Sequence, residues 1–170
     1  KMNYSKALNE CIESAYMVAG HFGARYLESW HLLIAMSNHS YSVAGATLND
    51  YPYEMDRLEE VALELTETDY SQDETFTELP FSHRLQVLFD EAEYVASVVH
   101  AKVLGTEHVL YAILHDGNAL ATRILERAGF SYEDKKDQVK IATLRRNLEE
   151  RAGWTREDLK ALRQRHRTVA

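Results

Sequence analysis

The side chains most able to do chemistry are eight histidines, one cysteine, several paired carboxylates and one short motif, Gly105-Thr106-Glu107-His108. The histidines (His21, His31, His39, His83, His100, His108, His115 and His166) are scattered. None forms the His-Glu-x-x-His pair that sets two imidazoles on one helical face, so no metal site is expected. Cys11 stands alone, which rules out an internal disulfide and suits a reducing, cytoplasmic setting. It falls on an apolar stripe and reads as a small core residue. Nucleophilic catalysis needs a Ser or Cys beside an oriented base, and no such set stands out. Glu59-Glu60, Glu91/Glu93 and Glu149-Glu150 read as solvated helix faces. Neither Gly-x-x-x-x-Gly-Lys-Ser/Thr nor Gly-x-Gly-x-x-Gly occurs, so a phosphate-cradling nucleotide loop is not expected. The chain is expected to be non-enzymatic, with no catalytic residue, no metal and no cofactor of its own.

Gly105 permits a sharp turn. Thr106 is expected to cap the helix that follows, and Glu107 to sit in its first turn, where a helix N-terminus favours negative charge. At the least this is a good helix start. It is also an exposed acid able to meet a cationic side chain of a partner, beside N–H groups able to meet an anion. His31 and His108 occupy matching helix starts and are expected to form local hydrogen bonds that fix the fold.

The element that positions the motif is a repeat. Leu8, Cys11, Ile12, Ala15, Val18, Ala19 and Phe22 recur 77 residues later as Leu85, Leu88, Phe89, Ala92, Val95, Ala96 and Val99. Each set has the i, i+3, i+4, i+7 spacing of one buried helix face. The match continues without a gap: Leu27 with Leu104, His31 with His108, Leu33 with Leu110, Ala44 with Ala121, Leu48 with Leu125. Ser5 and Ser82 stand where they can cap the first helix of each copy, and Ser29 and Thr106 are expected to do so for the second.

The pattern predicts helices over 5–21, 29–38, 41–50, 54–67, 82–98, 106–116, 118–128 and 132–150. The fold class is all-α: two tandem, pseudo-symmetric four-helix repeats followed by a helical linker segment. The expected organisation is a first repeat at 1–68, an acidic linker loop at 69–80, a second repeat at 81–145 and a basic segment at 146–170. Thr155-Arg-Glu-Asp158 can cap one more helix. Its apolar face is weak, and it is expected to lean out of the body. A 45% apolar composition with only two prolines permits long helices. No apolar run approaches the ~20 residues of a membrane span. The net charge of −8 argues against non-specific nucleic-acid binding. From Thr143 onward eight basic residues stand against four acidic ones, so an acidic body precedes a basic tail.

These residues resemble the Clp N-terminal repeat domain. The resemblance rests on Gly105-Thr106-Glu107-His108, the apolar Val109-Leu110-Tyr111-Ala112-Ile113-Leu114 behind it, the stretch from Ala119 to Gly129, and the repeat itself; it covers about residues 4–145. Within the family it looks most like the ClpC type of Gram-positive bacteria. The resemblance implies the front end of a hexameric AAA+ unfoldase that feeds the ClpP protease in the bacterial cytoplasm. ATP and Mg would belong to parts outside this chain. The implied partners are adaptors of the MecA type and substrate proteins, in some relatives marked by arginine phosphorylation. The resemblance further implies that Glu107 holds a guanidinium group while Gly105, Thr106 and neighbouring hydroxyls hold the phosphate.

The first copy departs from the pattern: it reads Glu28-Ser29-Trp30-His31. Ser29 keeps the hydroxyl and His31 is retained, but Trp30 stands in place of the glutamate and the ion pair is lost. Trp30 either packs against a neighbouring helix or serves as an exposed aromatic anchor. One strong site at most is therefore expected. Two other classes compete with recognition. A helical scaffold would lack affinity for adaptors or peptides. A small helical enzyme or metal-binding bundle would need polar groups where the repeat places apolar ones.

Overall fold

Ser5 and Ser82 open the two copies alike. In the computed structural model, each hydroxyl accepts the amide of the residue three positions on, Leu8 and Leu85, at 3.1 Å. The structure describes residues 2–50, 55–66, 78–116, 119–128 and 141–169. Those caps start α1 (Lys6–His21) and α5 (His83–Val98). The remaining helices of the first copy are α2 (Ser29–Ser37), α3 (Val43–Leu48) and α4 (Met55–Thr66). Those of the second are α6 (Thr106–His115), α7 (Leu120–Ala128) and α8 (Ile141–Ala152), and α9 (Arg156–Val169) follows. The described residues form helices and connections, with two isolated bridges and no strand. The expected start of the eighth helix at 132 and most of the acidic linker lie outside the described residues.

Both apolar stripes are buried as their spacing requires. Leu8 through Phe22 line one core face, and Leu85 through Ala96 line its counterpart; only Val99, at the helix end, is half-exposed. The two helices also stop alike. Gly23 and His100, again 77 positions apart, both take the left-handed conformation, at φ 63° and 60°. The next amide then reaches back into the helix, Ala24 to Ala19 and Ala101 to Ala96.

The copies interlock instead of standing side by side. Tyr4 bridges to Leu104 and Leu27 to Phe81, so the residues ahead of each first helix pair with those ahead of the other copy's second helix. Leu104 donates to Asn3 O and accepts from Ser5 N, both at 2.8 Å; Leu27 does the same with Pro80 O and Ser82 N at 2.9 and 3.0 Å. Helix α3 packs on α6 and α8, and α7 packs on α2 and α4. Arg151 at the end of α8 makes a two-pronged ion pair with Asp50, both bonds 2.9 Å, beside the Thr47 hydroxyl of α3. Each half is thus covered by the other, as a unit with one apolar face requires.

Three expectations are corrected. Ser29 and Thr106 do not cap their own helices; they are the first helical residues, and Glu28 and Gly105 hold the cap positions. The orphan cap amides are satisfied by the ring instead: His31 Nδ1 accepts from Glu28 N at 2.9 Å, and His108 Nδ1 from Gly105 N at 2.8 Å. Helix α9 does not lean out. It packs on α5 and buries Leu162 to 1% exposure. Finally, Glu149 is not on a solvated face but 8% exposed. Burial raises its carboxyl pKa, while Arg163, Arg145 and Arg146 around it act in the opposite direction. Residues 146–150, expected both as the end of the eighth helix and as the start of the basic segment, lie in the last turns of α8, where Leu148 is buried.

Candidate functional site

The start of α6 is held from three sides. Leu104 is fixed by its paired bonds to Asn3 and Ser5, the Gly105 amide by the His108 ring, and the Thr106 hydroxyl accepts from Ala44 N of α3 at 3.2 Å. Burial lowers His108 to about 4. The ring is therefore neutral near pH 7, as a ring nitrogen that accepts a backbone N–H must be.

Glu107 folds back over the cap residue. A Cβ at position 105 would overlap its Oε1, so glycine is what makes room for the carboxylate. The side chain is 22% exposed, and Oε1 lies 3.6 Å from His108 Nδ1. Burial raises its pKa, partly offset by a hydrogen bond from its own backbone. The result is a half-buried carboxylate beside a neutral ring, a place where an incoming cation regains what desolvation cost.

This carboxylate borders an open cleft of about 470 Å³. Among the described residues five segments wall it: Ser5 and Ala7 at the start of α1, Tyr41 to Val43 before α3, Val99 and Ala101 to Val103 after α5, Gly105 to His108, and Ala152 to Trp154 with Asp158 where α8 gives way to α9. Tyr41 is 97% exposed and Val103 is also accessible, so the rim is partly apolar. Among the described lining residues Lys102 is the one lysine, and Asp158 is a second carboxylate. Sequence reasoning placed Gly105, Thr106 and Glu107, which the fold brings together here. It missed Tyr41, Lys102, Trp154 and Asp158, which come from other segments. The one sequence signal was Trp154 itself, a large aromatic just past Gly153 in an otherwise polar stretch.

The corresponding corner of the first copy is built differently. Glu28, at the glycine's position, turns its carboxylate to the Ser82 hydroxyl, which donates to it at 3.1 Å. Ser29 is half-buried at the first turn of α2. Trp30 is 9% exposed, edge-on to Phe22 with centroids 4.7 Å apart and against His31 at 3.9 Å. That excludes Trp30 as an exposed anchor: it fills the core between α1 and α2. Burial also lowers His31 to about 3.

Elsewhere Cys11 is buried, which pushes its thiol up to about 11. Among the described residues, no three His, Cys, Asp or Glu side chains gather as metal ligands would. No helix among them is long and apolar enough to cross a membrane.

Comparison with known proteins agrees with this architecture. No curated protein sequence matches the chain. The N-terminal domain of the Clp-associated chaperone ClpD from Arabidopsis thaliana superposes with a TM-score of 0.67 at 16% identity, over 89% of this chain and 95% of that one. The N-domain of ClpV from Vibrio cholerae gives 0.61 at 16% identity, over 91% and 88%. A complex of the ClpV N-domain with a VipB peptide gives 0.61 at 16%, over 91% and 90%. At such identities the likeness speaks for the fold. The model of the Clp repeat (R) N-terminal domain matches residues 3–153, through both interlocked copies and α8, and the chain belongs to that family.

Proposed function

We propose that this chain is the recognition domain of a ClpC-like unfoldase. It holds adaptors of the MecA class and substrate proteins, including arginine-phosphorylated ones, close to an ATPase ring that delivers them to ClpP in the bacterial cytoplasm. It does so by binding alone; ATP and Mg act in the ring. Tethering raises the substrate's local concentration without any chemistry in the tether.

The observation that carries the reading is the half-buried Glu107 carboxylate at the edge of a roomy cleft. A carboxylate meets a guanidinium with paired, charge-assisted hydrogen bonds. The phosphate of the same group would find Lys102, the Ser5 hydroxyl and the Thr106 N–H in the first turn of α6, residues that line the same cleft. In the first copy Trp30 is buried and Glu28 is engaged with Ser82, which supports a single strong site. Calorimetric titration of phosphoarginine into the wild type and Glu107→Ala tests this. The expected loss in the variant is on the order of tenfold or more. Equal affinity would remove Glu107 from the site, and no binding to the wild type would remove the arginine-phosphate reading.

A further inference from the structure

The cleft has a wall that neither the motif nor the repeat accounts for. Helix α8 ends at Gly153 in the left-handed conformation, φ 73°. Gly153 N then bonds Glu150 O at 3.1 Å and Trp154 N bonds Glu149 O at 3.2 Å, so the chain turns sharply at that point. The turn delivers Trp154 to the cleft. Its indole lies parallel to the His108 ring, 10° between planes and 6.1 Å between centroids, and edge-on to Tyr111 at 5.1 Å. The next residues close a reciprocal cap: Asp158 N donates to Thr155 Oγ1 at 3.1 Å and Thr155 N to Asp158 Oδ2 at 3.0 Å. That cap starts α9, and Leu162 anchors α9 to the body.

We propose that Trp154 and Asp158 complete the recognition site, Trp154 as a flat wall for a planar guanidinium and Asp158 as a second negative charge. The site then selects arginine over lysine side chains and depends on α9 being docked. This rests on the reading of Glu107 given above.

The chemistry favours guanidinium specifically. Guanidinium is planar and weakly hydrated, so it stacks on an indole face, whereas an ammonium is a compact, strongly hydrated point charge. Trp is the best of the aromatic partners for a cation. Here its orientation is set on one side by Tyr111 and at its backbone by the α8 turn, and it stays half-exposed toward the cleft. The neighbouring His108 is neutral, so it does not repel the cation. Asp158 keeps one carboxylate oxygen, Oδ1, outside the cap bond. The dependence on α9 follows from position: Asp158 lies in its first turn, and Leu162 one turn further holds it down.

The test uses the full chain and three probes, phosphoarginine, N-acetyl-arginine amide and N-acetyl-lysine amide, in calorimetric titrations. Trp154→Leu is expected to weaken phosphoarginine on the order of tenfold and to erase the preference for the arginine over the lysine amide. Trp154→Phe is expected to retain most of both. Leu162→Ala, at a buried position that does not itself line the cleft, is expected to weaken phosphoarginine several-fold. Circular dichroism melts confirm that each variant is folded. If Glu107→Ala loses binding while Trp154→Leu and Leu162→Ala bind like the wild type, this inference is overturned and the Glu107 reading stands. If the wild type binds no phosphoarginine, both fall together.

Discussion

The Thr106 hydroxyl accepts a hydrogen bond from the Ala44 amide across 62 residues of sequence, so a side chain of α6 caps α3 of the other copy. Thr106 is 2% exposed, and Ala44 is fully buried. Thr106→Val keeps the shape and removes the acceptor, leaving a buried N–H unpaired. The expected cost is about 1–2 kcal/mol. Urea unfolding should show a lowered midpoint with an unchanged slope, and Thr106→Ser should restore it. A Thr106→Val midpoint equal to the wild type would show that the bond contributes nothing.

Much of this fold was legible in the sequence, because a buried helix face has one period and here it is written twice. The stripe from Leu8 to Phe22 and its copy fixed which faces meet. The serine caps at Ser5 and Ser82 were readable because a cap bond is local. The hydroxyls of Ser29 and Thr106 were misassigned because capping depends on one residue of register, and the cap amides at Glu28 and Gly105 go to imidazoles three residues on. What repeat logic cannot give is contact between distant segments. The bond from Ala44 to Thr106, the ion pair of Asp50 with Arg151, and the approach of Trp154 to His108 all join distant stretches of chain with no shared motif. Helix α9 looked detachable because one buried leucine, Leu162, carries much of its docking. Glu149 looked solvated because the arginines that surround it come partly from that same helix.

The two cap histidines make stability depend on pH. An imidazole in the unfolded chain titrates near 6.5, while burial holds His31 at about 3 and His108 at about 4 in the fold. Below pH 6.5 the unfolded chain therefore binds more protons than the folded one, and stability falls as pH drops toward 4. Glu107 and Glu149, whose carboxyls are raised by burial, act in the opposite sense closer to the carboxylate range, so the loss is cleanest just below pH 6.5. Urea midpoints at pH 7.5, 6.5 and 5.5 should decline in that order. His108→Asn, which keeps an acceptor without a titrating ring, should flatten the decline. A midpoint that rises on acidification would contradict the neutral-ring assignment.

Two backbone positions should respond oppositely. His100 sits at φ 60° where its counterpart is Gly23. His100→Gly should stabilise by up to about 1 kcal/mol by relieving the left-handed strain. At Gly45 a Cβ would overlap the His39 carbonyl, which is backbone and cannot swing away. Gly45→Ala should cost about 2 kcal/mol or more. Thermal melts of both variants check the pair, and matching shifts of the same sign would refute it.

Gly105 offers a way to separate binding from folding. An added Cβ there would overlap only the mobile end of Glu107, at a backbone φ of −110° that any residue adopts. Gly105→Ala should change stability by no more than about 1 kcal/mol while moving the carboxylate and weakening phosphoarginine several-fold. Unchanged affinity would mean that the Glu107 pose over the glycine does not matter to the ligand.

The most direct measurement is a titration of the isotope-labelled chain with phosphoarginine, followed by amide chemical shifts in two-dimensional NMR spectra. The expected result is saturable movement centred on Lys102 and Gly105 to His108, extending to Trp154, with Glu28 to His31 unmoved. Shifts centred on Glu28 to His31, equal shifts at both corners, or none at either would contradict recognition at the start of α6.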